Sequence, residues 1–173
     1  MYWLAKRMLP IPALVAAHPA LALTFRFWNE QREDGRLPPR CALDTPHFRL
    51  LVPDAHWIDM RRARVEGLVD LGPLRAYADA VAAGLNRPEP VQLGAALVDD
   101  LENAVFVGAP IYLQIDLSLQ ARPFSYQTLM VPLADDGFNV CEVAMVVEAA
   151  RHGAREGPPG ALADDDMQRQ DLG

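Results

Sequence analysis

Cysteine is scarce in this sequence: Cys41 and Cys141 are the only two, so at most one bridge can form and a disulfide scaffold is excluded. Long apolar runs are missing as well, none approaching the roughly 20 residues that span a bilayer. Positive charge is in the minority, with 16 Lys+Arg against 23 Asp+Glu and a net charge of −7. An acidic chain without a basic block is poorly suited to clamping phosphate backbones. No G-x-G-x-x-G, G-x-x-x-x-G-K-[ST] or G-x-S-x-G segment occurs, so the common nucleotide-binding and serine-hydrolase signatures are absent. What remains is 173 residues, 51% hydrophobic and 23% charged. That is little more than one domain, large enough for a hydrophobic core of its own.

Three regions follow from composition. Residues 1–18 form an apolar N-terminal arm, in which Lys6-Arg7 and then Met8 to Ala17 resemble the opening of a secretory signal, with Ala20-Leu21-Ala22 as a small-residue cleavage site. Pro10 and Pro12 interrupt that apolar core and favour an arm that covers part of the domain. Residues 19–150 carry the periodic patterns of a folded domain. Residues 151–173, with Gly-Pro-Pro-Gly and Asp164-Asp165-Asp166, lack the large apolar residues that would offset ordering entropy and are expected to be a disordered tail.

Within the domain, Pro19 to about Asp34 reads as a helix with Leu21, Phe25 and Trp28 on one stripe and Leu23 and Phe27 on another. Gly35 is its stop, and residues 36–46 are loop-like. Phe48 to Met60 reads as a helical turn and then a strand, and residues 61–72 fit neither period. Helices are expected over residues 73–85 and 95–107, joined by a connection at 86–94 that Pro88 and Pro90 punctuate. In the second helix, Leu97, Leu101, Ala104 and Val105 make the apolar stripe, with Asp99, Asp100 and Glu102 on the wet side. Ile or Leu then stands at 111, 113, 115, 117 and 119, a period of two that predicts a half-buried strand. Turns at 120–123 and at Asp135-Asp136-Gly137 lead to strands over 124–133 and 138–149. A three-strand meander results, with helices expected on one face.

Candidate chemistry is sparse. His18, His47, His56, His152 and the two cysteines show no metal-ligand spacing, so no metal or cofactor is expected. Cys141 alternates with Val143, Met145 and Val147, as a small core hydrophobe would. A bridge to Cys41 is open only to an exported protein. A ligand pocket would draw on the aromatic residues Trp57, Phe106, Tyr112 and Tyr126 if the sheet curves over its helices. A small enzyme would instead place an acid/base pair at His56 and Asp59. Leu23 and Phe27, lacking an evident partner in the chain, would lie at a homodimer interface.

Two segments carry a family resemblance. The first runs through Phe27-Trp28, Asp34-Gly35-Arg36-Leu37-Pro38-Pro39-Arg40, Leu43-Asp44, Leu50-Leu51-Val52-Pro53 and Ile58-Asp59. The second is Gly108-Ala109-Pro110 followed by Leu129-Met130-Val131-Pro132-Leu133-Ala134-Asp135-Asp136-Gly137. Together they resemble a PAS-like domain family abundant in alphaproteobacteria, over roughly residues 20–149. The chain departs from that pattern where Glu66-Gly67 replaces a "G-T" step and where Asp44-Thr45-Pro46 replaces a compact "D-P". The resemblance implies an α+β fold: a twisted antiparallel sheet of about five strands, helices on one face and a long N-terminal helix. It implies a stand-alone sensory or protein-interaction module without catalytic activity, binding a small apolar ligand or a protein partner, itself included. Neither nucleic acid nor a membrane span is expected. The location would be cytoplasmic, or periplasmic if the N-terminal segment is a cleaved signal of an exported accessory protein.

Overall fold

The computed structural model describes residues 2–62, 89–119 and 122–149. Their fold is α+β, built on one antiparallel sheet of β1 (Tyr2–Met8), β2 (His56–Asp59), β3 (Ile111–Leu119), β4 (Arg122–Leu133) and β5 (Glu142–Ala149). The order across the sheet is β1-β3-β4-β5-β2. Around it lie α1 (Pro19–Glu30), α2 (Arg40–Leu43), α3 (Pro46–Leu51) and α4 (Glu89–Val107), with a 3-10 helix at Ile11–Ala16. The expected helix over 73–85, the ambiguous stretch from 63 to 72 and the tail from 151 lie outside the described residues.

The meander is present. Its strands alternate as their sequences require, with Ile111, Leu113 and Ile115 of β3 facing α4 together with Tyr126 and Met130 of β4 and Val143, Met145 and Val147 of β5. Helices on a single face are not what forms. Tyr112, Leu129, Val131, Leu133, Ala144 and Val146 point the other way and pack under α1, α2 and α3. The cause is visible in the central strands: Leu129-Met130-Val131 and Val143 to Val147 are apolar in both phases, so both faces require cover. The polar positions of β3 serve its sides. Gln114 Nε2 donates to Asp116 (3.3 Å) and Ser125 (3.2 Å), and Ser125 Oγ also donates to Asp116.

The N-terminal arm is a strand, not merely a cover. β1 pairs with β3 along its whole length, Lys6 opposite Ile115 and Met8 opposite Leu113. The long N-terminal helix is also corrected. α1 has 12 residues, begins with Pro19 behind the His18 cap, and ends at Glu30 rather than Asp34. Leu21 and Trp28 are buried, and Trp28 Nε1 donates to the Pro132 carbonyl at 2.7 Å. The second stripe has partners within the chain. Phe27 meets Phe48 and His47 edge-on at 5.5 and 5.6 Å, and Leu23 packs on the same core. The premise for placing Leu23 and Phe27 at a dimer interface is thereby removed.

The two segments that carry the family resemblance meet in space. Leu37 N–H donates to the Gly137 carbonyl (2.9 Å) and Ala134 N–H to the Pro38 carbonyl (3.1 Å). The Arg36 guanidinium lies 5.3 Å from the Phe138 ring centre. Gly137 has φ 82°, a conformation that favours glycine, and a Cβ there would press on Arg36 Cβ at 3.2 Å. This clasp ties the loop after α1 to the β4–β5 turn. Thr45 has a use as well: its hydroxyl accepts from Phe48 N–H at 3.2 Å and caps α3 ahead of Pro46. Asp44 beside it takes Arg49 at 2.6 and 2.9 Å and Arg40 at 3.2 Å. Those guanidinium bonds, Arg49 first, hold its carboxyl below the ordinary aspartate range.

Candidate functional site

α4 starts six residues before the expected Ala95, and the expected connection over 86–94 is helical from Glu89. Pro90 sits in the first turn, where no N–H is needed. Leu97, Leu101 and Ala104 form its buried seam against β4 and β5. Burying each leucine stabilises by roughly 1.5–3 kcal/mol. Asp100 falls three residues after Leu97 and lies on that seam, 5% exposed, rather than on the wet side. Spacing could have found it, since 97, 100, 101 and 104 share one helical face; its charge is what hid it.

Lys6 of β1 accounts for half of this buried carboxyl: its Nζ donates to Asp100 Oδ1 at 2.7 Å. Oδ2 has no hydrogen-bond partner. Burial raises the pKa of Asp100 and Lys6 opposes the rise, while neighbouring Asp99 adds to it. Beneath α4, Thr128 of β4 is fully buried and its Oγ1 also lacks a partner. Register places Lys6 and Thr128 in neighbouring rows of the sheet, on strands separated by β3. Lys6 stands opposite Ile115, Ile115 opposite Tyr126, and Thr128 is the next residue along β4 on the same face. Leaving a buried acceptor or hydroxyl unpaired costs about 1–3 kcal/mol each, so both call for an explanation.

The residues singled out by sequence do not converge. Tyr126 is buried on the α4 side, whereas Tyr112 is buried on the α1 side. Trp57 stacks near Phe48 (5.9 Å) and under Arg40 (5.0 Å), also on the α1 side. Phe106 is 90% exposed near the end of α4. One aromatic cavity bounded by all four is therefore excluded by strand alternation. The His56/Asp59 pair is not formed either. His56 lies opposite Met145 on the α4 side; Asp59, on the other phase of β2, is engaged by Arg61 at 2.9–3.2 Å. Burial lowers the pKa of His56, with Asp54 opposing, and its Nε2 is without a partner. Arg61 holds Asp59 below its ordinary range.

Cys41 and Cys141 are free thiols. Cys141 is half-buried, its Sγ 3.8 Å from the Leu133 carbonyl oxygen. Among the described residues, no group of three or more His, Cys, Asp and Glu could hold a metal ion, and no helix is long and apolar enough to cross a membrane. An open groove of about 320 Å³ lies along the clasp, lined by Gln31, Glu33, Arg36, Ala42 and Asp135 among others. Compared with protein-family models, curated proteins and solved structures, the chain finds no match in any of the three.

Proposed function

We propose that this protein is a PAS-like sensory or protein-interaction module that holds a small ligand between α4 and the sheet and passes its occupancy to a protein partner. The observation that carries this reading is the pair of unsatisfied buried groups, Asp100 Oδ2 and Thr128 Oγ1, both on the α4 side of the sheet. Two features support the PAS-like part. The motif segments of the resemblance close on each other as a clasp, and the antiparallel sheet has five strands. Helices on both faces depart from what the resemblance implies. With His56 and Asp59 on opposite faces of β2, the acid/base alternative gains no support.

The test is native mass spectrometry of the gently purified protein, followed by affinity capture with the same preparation. The expected result is a co-purifying small molecule released on denaturation, together with a partner captured differently by loaded and stripped protein. A bare mass and identical captures from both preparations would overturn the reading.

A further inference from the structure

His18 has two partners on a single ring nitrogen. It is the N-cap of α1, where its Nδ1 accepts from the Ala20 N–H at 3.3 Å. Glu148 Oε1, near the end of β5, stands 3.5 Å from the same Nδ1. One nitrogen cannot serve both. To accept from Ala20 it must offer a lone pair; to donate to a carboxylate it must carry a proton. The two contacts are therefore exclusive, and one proton decides between them. Imidazole changes its charge between about pH 5 and 8. The side chains are 33% and 22% exposed, so protons from solvent reach the pair.

Little else that is charged faces this histidine. The 3-10 helix before it, Ile11–Ala16, has no charged residue. α1 has no acidic residue in its first turn, and its first charge, Arg26, lies further along beside Glu30 at 3.7 Å. On β4 the residue opposite Glu148 is the neutral Gln127. Beyond it in the same row stand Gln114 of β3 and Arg7 of β1, which bond each other at 3.4 Å. His47 of α3 meets α1 at Phe27, toward its other end. Among the described residues, Glu148 is thus the carboxylate that answers a charge on His18. Without it a protonated ring would be doubly unfavourable: the first-turn N–H would lose its acceptor, and a cation would face the positive end of the helix dipole. Glu148 offsets both, so each protonation state of the ring has its own partner in the fold.

We infer that His18 is a proton-operated changeover between α1 and β5. Neutral, it caps α1. Protonated, it releases the Ala20 N–H and ties the entry of α1 to the end of the final strand. This changeover is independent of the ligand-holding reading above.

Four forms of the full chain test it at pH 5.5 and pH 8: wild type, His18→Asn, Glu148→Gln and the double variant. Asparagine caps a helix and does not titrate. In urea unfolding, the double-mutant cycle should give a His18–Glu148 coupling about two- to fivefold larger in the unfolding constant at pH 5.5 than at pH 8. Equal coupling at both values, or a larger one at pH 8, would overturn the changeover. NMR gives the second readout. At pH 8, ring nitrogen spectra should show Nδ1 of His18 bare and the Ala20 N–H protected from solvent exchange. At pH 5.5, Nδ1 should be protonated and that protection about fivefold lower, as loss of a cap implies. In His18→Asn the Ala20 protection should be the same at both. A proton on Nδ1 at pH 8, wild-type protection of Ala20 that ignores pH, or a wild-type response retained in His18→Asn would each overturn the assignment.

Discussion

Asp136 shows how one exposed carboxylate can organise a turn. Its Oδ1 accepts from the backbone N–H groups of Asn139 (2.7 Å) and Phe138 (2.9 Å), and its Oδ2 from the Asn139 side chain (2.6 Å). These bonds, the Asn139 backbone first, hold its pKa down from 3.8 to about 2. Because the folded value lies below the ordinary one, the carboxylate stabilises the fold above pH 3.8 and that contribution is lost as pH falls through about 2. Asp136→Asn should therefore melt below wild type at pH 6, with the two Tm values converging as pH is lowered toward 2. A gap that stays constant with pH would contradict this. On the same scale, Trp28→Phe strands the Pro132 carbonyl and empties part of a buried site. It should cost about 1–3 kcal/mol, read by urea denaturation at unchanged m-value.

At the scale of elements, the clasp and the edge strand are the joints most open to test. Gly137→Ala meets both a positive φ and Arg36 Cβ, and should destabilise by about 1 kcal/mol or more in thermal unfolding, whereas Gly35→Ala meets strain alone, with open space around it. The meander, α1 and the α3–β2 succession were readable from the sequence, because period two, Pro19 and the turn residues all agree with the final packing. β1 was not. Lys6-Arg7 resembles a charged leader, and only the edge of a sheet lets a strand carry two adjacent cations. The first turn of α4 was hidden by Pro88 and Pro90, which punctuate a loop and open a helix with equal ease. The candidate site was hidden for a related reason. A charge on an apolar stripe reads as a wet face until its partner, here Lys6 at the other end of the domain, is known. The aromatic residues failed because type without strand phase cannot tell one face from the other.

At the scale of the whole molecule, two cores share one sheet, and the α1-side core accounts for the apolar surface that sequence alone assigned to a second protomer. Phe27→Ala should cost about 1–3 kcal/mol, and its unfolding midpoint should not vary with protein concentration, because the Phe27 ring packs on Phe48 and His47 of the same chain. A concentration-dependent midpoint in wild type that Phe27→Ala abolishes would return this residue to an interface.

The pairing of β1 with β3 also sets a timetable. β1 meets a partner more than a hundred residues later in the chain, with Lys6 opposite Ile115. At typical translation speeds of about 5–20 residues per second, it waits roughly 5–20 s. Trp28 also waits, since its acceptor, the Pro132 carbonyl, belongs to a later strand still. Neither β1 nor the Trp28 side chain can therefore be sealed as it is made. The nascent chain must carry an uncovered strand and an unroofed helix face until the meander emerges, and only then can both faces close, in a late step governed by long-range contacts.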